Sequence, residues 1–464
     1  MHDVSRPGRL SVLALAFLIA ACAAQTVAPR PSETPSGSAT ATAKPTNRAN
    51  DVVYLRSLAP GPVASILAID ARTGNTLRTL PDGYLSPDRA TLYAPELTNG
   101  ATQTLVHVIE FASEREVRSF AIPNAYHTVW GDGTHAGLSR DGRHMVLSIS
   151  PSKIDTDWLT SFKVVDVSTG AVEASFETKE QSTFGFEAIS PDGRSLFLSQ
   201  FGEGATGLRV FDVPSATLLP VSAIAGGNLA QRGFRTPGVL SVDGRWLYGV
   251  DAGTATTNCT STDGPSCIPN ATPPAVLALD LLGRRLYSVA LPKEQISTDF
   301  EKYLVWSVGL APSGDRVYAI NPALGVVDEV DVRAFALGRT GTITVSRTGG
   351  GVWAALGQFL FPVAEAKRWI TSGAVFSPDG SLIYAVATKG IAVVDAATLT
   401  SRATWQSGNR EFDGLALSAD GERLYAMSNA NGVVSIIAAR DGSPLGEFKL
   451  PYGGQTLLHI ESPR

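Results

Sequence analysis

Short stretches of alternating apolar and polar residues recur along most of the chain, and residues that favour tight turns follow each of them. The stretch from Phe376 to Tyr384 shows the unit most fully, as an apolar segment, the sequence Ser377-Pro-Asp-Gly380 and a second apolar segment. In such a turn proline presets φ, aspartate accepts hydrogen bonds from the next backbone amides, and glycine adopts a positive φ. The pattern therefore predicts two short strands joined by a tight turn.

This unit occurs seven times, with its serine position at residues 86, 139, 190, 241, 311, 377 and 418; alanine stands at position 311. A second turn follows each copy, as in Val164-Val-Asp-Val-Ser-Thr-Gly170, and a further short apolar stretch comes after it. Each repeat thus predicts four short strands, named a, b, c and d in chain order. Four-stranded antiparallel sheets of this length, repeated around an axis, are the blades of a β-propeller.

The two ends of the repeat region complement each other. Residues 52–80 resemble strands b, c and d without strand a, whereas residues 455–460 form one apolar stretch without companions. We therefore expect one composite blade, in which the C-terminal segment supplies strand a. This closure pairs sheet edges that would otherwise stay open. The prediction is an all-β fold with a single propeller of eight blades, and seven blades are the alternative.

The pairing of a Ser-Pro-Asp-Gly-x-x-Leu-Tyr turn with a Val-x-Asp-x-x-Thr-Gly turn resembles the bacterial YVTN-type propeller repeats. These repeats belong to the broad WD40-like and lactonase-like group, and the resemblance covers residues 52–461. It implies the propeller fold. It leaves the function open, because propellers of this group serve as binding platforms, as surface or secreted proteins and, in a minority, as lactonases or dehydrogenases.

The N-terminal segment has the features of an export signal. An apolar run of ten residues, 11–20, follows two arginines and is too short to span a bilayer as a mature helix. It ends in Leu18-Ile-Ala-Ala-Cys22, which resembles the lipobox of bacterial lipoproteins. The resemblance implies that Cys22 is lipidated and becomes the mature N-terminus. The alternative is an ordinary signal peptide with a cysteine near its cleavage site by chance.

These features predict three regions: a signal peptide at 1–21, a tether at 22–50 and a propeller domain at 51–464. The tether is rich in Ala, Ser, Thr and Pro and has no apolar period, so we expect it to be disordered. The predicted location is outside the cytoplasm, on the bacterial cell membrane through Cys22. We expect a monomer.

Charge and cysteines narrow the classes of partner. The formal net charge is -5 and no cluster of Lys and Arg stands out, which disfavours a nucleic-acid partner. Cys259 and Cys267 lie in one predicted surface loop of an exported chain, which favours a disulfide over two free thiols. The repeated aspartates are explained by their turns, so the sequence predicts neither a metal site nor a cofactor.

Candidate ligand contacts are the residues at the start of strand a, because this strand lines the central channel of a propeller. A histidine, a glutamate and an arginine on three successive repeats could supply an acid–base pair and an oxyanion stabiliser, although polar residues in a wide channel need no function. The candidates at this position are His135, Glu187, Arg235, Trp306 and Asp413.

Two functions fit these observations. The first is a lipid-anchored binding or scaffold module for a protein or small-molecule ligand, and the sequence favours it over catalysis. The alternative is a lactonase-type hydrolase with its site at the channel mouth. A quinone-dependent dehydrogenase is a third class, but the motifs for its cofactor and for calcium are not visible.

Overall fold

The structure is a computed structural model. It describes residues 50–57, 65–98, 100, 102–129, 137–202, 207–226, 238–253, 272–296, 305–343, 373–387, 390–405, 410–451 and 455–462. Apart from the 3-10 turns Val221–Ala223 and Lys293–Gln295, the regular elements named below are β-strands. They form a propeller arrangement of four-stranded antiparallel sheets, which confirms the predicted all-β class and blade type.

The strands are numbered in chain order and the sheets from the N-terminus. Sheet 1 contains β1 (Val52–Ser57), β2 (Ser65–Asp70), β3 (Thr76–Pro81) and β32 (Gln455–Glu461). Sheet 2 contains β4 (Tyr84–Leu85), β5 (Thr91–Thr98), β6 (Gln103–Glu110) and β7 (Arg115–Pro123). Sheet 3 contains β8 (His127–Thr128), β9 (His144–Ile154), β10 (Asp157–Asp166) and β11 (Val172–Glu180). Sheet 4 contains β12 (Thr183–Ile189), β13 (Ser195–Phe201), β14 (Gly207–Asp212) and β15 (Thr217–Leu218).

The remaining strands form three sheets. Sheet 5 contains β16 (Val239–Leu240), β17 (Trp246–Asp251), β18 (Ala275–Asp280) and β19 (Arg285–Ala290). Sheet 6 contains β20 (Ser307–Leu310), β21 (Arg316–Asn321), β22 (Val326–Asp331), β23 (Ala336–Thr342), β24 (Ala374–Phe376), β25 (Leu382–Val386), β26 (Ile391–Asp395) and β27 (Thr400–Trp405). Sheet 7 contains β28 (Gly414–Leu417), β29 (Arg423–Ser428), β30 (Val433–Ala438) and β31 (Pro444–Lys449).

Sheet 1 joins the two ends of the repeat region. Its strand order is β3-β2-β1-β32, and β32 pairs antiparallel with β1 from Val52–Glu461 to Ser57–Gln455. The predicted pairing of the C-terminal strand, as strand a, with the first N-terminal strand is therefore confirmed.

The sheet count differs from the expected eight separate blades. Six sheets have four strands, whereas sheet 6 has eight, in the order β20-β21-β22-β23-β27-β26-β25-β24. Its two four-stranded halves follow the repeat pattern and meet at one parallel pair, Thr342 and Thr400. The outermost strands of two neighbouring repeats have joined edge to edge, and counting turns in the sequence does not reveal such a contact.

The repeated turn forms for the reasons that its residues suggest. In the copy at 377, the Ser377 hydroxyl donates to Asp379 Oδ1 at 2.5 Å and accepts from the Leu382 amide at 2.9 Å. Asp379 Oδ1 also accepts from the Ser381 amide, and Gly380 has a φ of 71°. The same serine-to-aspartate hydrogen bond occurs in the copies at 86, 139, 190, 241 and 418. The turns therefore fix where strand a ends and strand b begins in each sheet.

The hydrophobic core lies between neighbouring sheets. Tyr54 and Leu92 pack between sheets 1 and 2, and Phe197 and Leu247 pack between sheets 4 and 5. A further cluster contains residues of sheets 7 and 1: Val53, Leu55, Leu67, Ile69, Ala71, Tyr425, Met427, Val434, Ile436, Phe448, Leu450, Leu457 and Ile460. The last sheet thus packs on the first, so the succession of sheets closes on itself.

Candidate binding face

The path of the chain gives each sheet two different ends. The a–b and c–d turns lie at one end, here called the turn face. The start of strand a, the b–c hairpin and the connection from strand d to the next sheet lie at the other end, here called the mouth face. Because the short repeated turns occupy the turn face, most of the variation between repeats falls on the mouth face. Variable segments on a rigid scaffold are the usual location of binding sites.

Glu187 is the fifth of the seven residues of β12, the innermost strand of sheet 4, so it lies nearer the turn face than the mouth face. The register of β12 against β13 shifts between Phe186 and Ala188, so Glu187 is the extra residue of a β-bulge. A bulge changes the direction of a side chain and is frequent beside functional sites. The half-buried carboxylate accepts a hydrogen bond from the hydroxyl of Ser199 on the neighbouring strand. Its orientation is therefore fixed by the sheet.

Trp306 packs in the core. Only 1% of its surface is exposed, and it belongs to the hydrophobic cluster between sheets 5 and 6 that also contains Tyr248 and Val308. Its position at the start of strand a agrees with the repeat alignment. Its side chain faces the neighbouring sheet, so we do not include it in the candidate binding surface.

Asp413 holds the backbone at the start of β28. It is 7% exposed, and its Oδ2 accepts from the amide of Asn429 at 2.6 Å. Asn429 in turn donates through its side chain to the carbonyl of Gln455 at 3.0 Å and accepts from the Gln455 amide at 2.9 Å. These contacts connect the inner strand of sheet 7, its b–c hairpin and the inner strand of sheet 1. The sequence identified Asp413 by position but did not indicate this link.

His135, Arg235, Cys22, Cys259 and Cys267 lie outside the described residues. His135 was predicted from its position four residues before Ser139. In the described part of sheet 3, the inner strand β8 begins at His127, and Leu138 forms an isolated bridge to Met145. His127 contacts the Thr128 carbonyl through Nδ1 and the Ser150 hydroxyl through Nε2 at 2.8 Å.

A partly buried ionic cluster connects three successive sheets at the mouth face. Arg56 donates two hydrogen bonds to the two carboxylate oxygens of Asp82, each at 2.6 Å. The Thr128 hydroxyl accepts from Arg56 and donates to Asp82, also at 2.6 Å. Burial lowers the pKa of Arg56, but the hydrogen bonds and charge of Asp82 more than offset this, so its pKa lies above the ordinary value. Bidentate pairs of this kind fix geometry as well as charge. Sequence reasoning missed this cluster, because its members belong to three different repeats.

Two further features set the mouth face apart. β9 and β10, with 11 and 10 residues, are the longest strands that the structure describes, and residues 151–156 around their hairpin are exposed. Large apolar side chains also remain exposed at the b–c hairpins of sheets 2, 3 and 4: Leu97 at 40%, Ile154 at 39% and Phe201 at 46%. Exposed apolar side chains at equivalent positions of successive sheets suit contact with a partner. Among the residues that the structure describes, no group of three or more His, Cys, Asp or Glu side chains could hold a metal ion.

Comparison with known proteins assigns no family to this chain. No family model and no curated protein matches the sequence. Similar solved structures include dihydro-heme d1 dehydrogenase NirN, with a TM-score of 0.48, 12% identity and coverage of 91% of this chain and 79% of NirN. Apo AztD from Citrobacter koseri gives 0.41 and 12%, with coverage of 89% and 98%. The Myceliophteria thermophila Cps50 (Swd1) β-propeller domain gives 0.36 and 12%, with coverage of 82% and 90%.

Proposed function

We propose that this chain is a lipid-anchored, extracytoplasmic β-propeller of eight blades that binds a protein or small-molecule ligand through its mouth face. The observation that carries the binding part is the row of exposed apolar side chains Leu97, Ile154 and Phe201 on successive b–c hairpins. The bracing contacts of Arg56 and Asp413 support it, because they hold the surrounding backbone rigid before a ligand arrives.

The count of eight rests on the packing of the two halves of sheet 6. Tyr318 and Ile320 of β21 belong to the same buried cluster as Ile383 of β25 and Val394 of β26. Side chains of one continuous sheet point away from its two faces, so packing of one half on the other supports two stacked blades. With the six other sheets, this makes eight. The seven-blade alternative treats the eight strands as one unit.

The binding proposal predicts that a partner depends on the mouth face. Replacing the three apolar residues in a Leu97→Ser/Ile154→Ser/Phe201→Ser variant should weaken capture of a membrane or soluble partner by at least about tenfold, because each lost apolar contact weakens binding. The measurement is quantitative mass spectrometry of proteins co-purified with the full chain from its own cell envelope.

The matched control removes the same number of exposed apolar side chains from the turn face. A Val117→Ser/Val242→Ser/Leu282→Ser variant should retain the partner, since these side chains are also exposed, at 49%, 74% and 48%. Equal loss in both variants, or no loss in either, would contradict a mouth-face site. The hydrolase alternative stays a prediction, since of its three groups only Glu187 lies within the described residues.

The anchor is the second part of the proposal and rests on the Leu18-to-Cys22 motif. Among the described residues, the structure contains no helix with the length and apolar character needed to cross a bilayer. We expect labelled fatty acid on Cys22, and release of the Cys22→Ser variant from the membrane fraction. Cys259→Ser/Cys267→Ser is the control, and it should keep the label. An unlabelled wild-type protein that still sediments with membranes would overturn the anchor. The Cys259–Cys267 disulfide stays a prediction.

A further inference from the structure

Asp328 is an acidic residue buried inside the apolar core between sheets 5 and 6. It lies on β22 with none of its surface exposed. It pairs with Ala319 of β21, and directly opposed residues of paired strands share one face of the sheet. Ala319 belongs to the hydrophobic cluster that contains Val250 and Val276 of sheet 5. The carboxyl group therefore points into an apolar layer, where an ion is poorly solvated.

The carboxyl group has few polar neighbours. Thr340 on β23 donates its hydroxyl to Asp328 Oδ1 at 2.7 Å. The side chain of Gln295, which is 5% exposed, lies within hydrogen-bonding range of the same carboxyl group. Yet Asp328 Oδ2 and Gln295 Oε1 are both buried without a hydrogen-bond partner. Each of these two neighbouring side chains therefore has one buried acceptor without a donor.

No described cation compensates this carboxyl group. The ionisable residues on the strands and the 3-10 turn around it are Tyr248, Asp251, Asp280, Arg285, Tyr287, Lys293, Glu294, Arg316, Tyr318, Glu329, Asp331 and Arg339. Lys293 and Glu294 are exposed, and Arg339 pairs with Glu329 and with carbonyls of residues 396 and 397 in the other half of sheet 6. None of these groups contributes a charge interaction to the pKa of Asp328.

We propose that Asp328 and Gln295 form a proton-dependent lock, in which a proton on Asp328 Oδ2 is donated to Gln295 Oε1. The added proton gives both unpaired acceptors a partner and removes the buried charge. Thr340 continues to donate to Oδ1, so the neutral acid is satisfied at both oxygens. Desolvation by burial raises the pKa of Asp328, and the hydrogen bonds of Thr340 and Gln295 oppose this rise only in part, which agrees with the geometry.

The proposed lock involves the connection between sheets 5 and 6, which lies at the mouth face. Gln295 ends the 3-10 turn Lys293–Gln295, which follows strand d of sheet 5 and leads towards strand a of sheet 6. The backbone amide of Gln295 donates to Pro292 at 3.0 Å, and the amide of Ile296 donates to Lys293 at 3.1 Å. Loss of the proton weakens the side-chain attachment of this turn, so acidity stabilises this part of the mouth face.

The sign of the pH dependence follows from proton binding. In the unfolded chain Asp328 loses its proton near the ordinary pKa of 3.8, whereas the folded protein retains it to higher pH. Stability relative to a variant without this acid therefore falls as pH rises above 3.8, by up to about tenfold in the unfolding equilibrium per pH unit, until the folded group ionises. The test compares urea unfolding midpoints of wild type and Asp328→Asn between pH 4 and 8.

Asparagine mimics the neutral acid, so the lock predicts that Asp328→Asn loses this pH slope. Asp331→Asn on the same strand is the matched control. Hydrogen bonds from the backbone amides of Ala334 and Arg333 hold the pKa of Asp331 below its ordinary value, so its replacement should leave the slope above pH 4 unchanged. Equal slopes in wild type and Asp328→Asn would overturn the lock.

A second measurement needs no variant and decides the question if Asp328→Asn does not fold. Infrared spectroscopy of wild type, with and without deuterium, should detect a buried protonated carboxyl group that persists above pH 4 and disappears as the pH rises further. Hydrogen exchange of Gln295 and Ile296, corrected for the intrinsic rate, should accelerate over the pH range in which this band disappears. The absence of a protonated carboxyl band above pH 4 would overturn the proposal.

Discussion

Aspartates at different places in this chain illustrate how environment decides the role of a residue. Asp379 in the repeated turn is held ionised, because the Ser377 hydroxyl and the Ser381 amide lower its pKa to about 2. Asp328, three residues before the turn aspartate of its own strand, lies in an apolar layer that raises its pKa. The turn role could be predicted from the neighbouring Ser, Pro and Gly. The core position of Asp328 could not, because it depends on which face of β22 meets sheet 5.

The turn serine offers a prediction at the residue scale. Ser190 is 1% exposed, donates to Asp192 at 2.6 Å and accepts from the Ser195 amide at 2.9 Å. Ser190→Ala leaves both groups without this partner, so the free energy of unfolding should fall by about 1–3 kcal/mol. Urea unfolding followed by fluorescence measures the change.

A suitable control is Ser313→Ala in the copy that has alanine at position 311. The Ser313 hydroxyl donates to Asp315 at an exposed site, where water can replace it. We expect a loss below about 0.5 kcal/mol there, as for other surface substitutions. Similar losses at both serines would show that burial does not determine how much the turn hydrogen bond stabilises the protein.

At the scale of the strands, the sequence predicted which stretches pair but not each register. Counting back from the turn serine correctly placed Glu187 on an inner strand, yet the bulge between Phe186 and Ala188 was invisible in the pattern. The same counting gave His135, which lies outside the described residues, in a sheet whose inner strand β8 begins at His127. Bulges and insertions change the count without changing the apolar alternation, so local spacing alone cannot locate them.

The mouth-face contacts show the same limit. The ionic cluster of Arg56, Asp82 and Thr128 joins residues of three sheets, and the link from Asn429 to Gln455 joins sheets 7 and 1. A sequence motif records neighbours along the chain, whereas these contacts depend on the order of sheets around the ring. The sequence offers one signal for such contacts, which is a polar residue at a position where other repeats have an apolar residue. This signal marks a candidate contact residue, but it does not identify the residue's partner.

At the scale of the whole molecule, closure can be predicted from the sequence, because two incomplete ends of the repeat region complement each other. The structure adds a latch that the sequence did not indicate. Asp51, immediately before β1, is 1% exposed and accepts from Arg423 at 2.7 Å and from the hydroxyl of Tyr425 at 2.5 Å. Both partners belong to β29 of sheet 7. The ring is therefore held at this junction by strand pairing in sheet 1, by the latch and by the apolar cluster between sheets 7 and 1.

These three contributions predict what happens when the C-terminal strand is removed. Deleting residues 452–464 exposes the edge of β1 and removes Leu457 and Ile460, which are 3% and 7% exposed, from the core. Each lost ladder hydrogen bond costs about 0.5–1.5 kcal/mol, and each buried apolar side chain adds roughly 1.5–3 kcal/mol. The total is comparable to the ~5–15 kcal/mol that stabilises a domain, so the truncated chain should aggregate or melt far below wild type.

Removal of only residues 463 and 464, beyond the end of β32, is the control and should leave calorimetric melting unchanged. If the longer truncation also melted like wild type, β32 would not be needed to close the ring, and the latch and the apolar cluster would have to hold it alone.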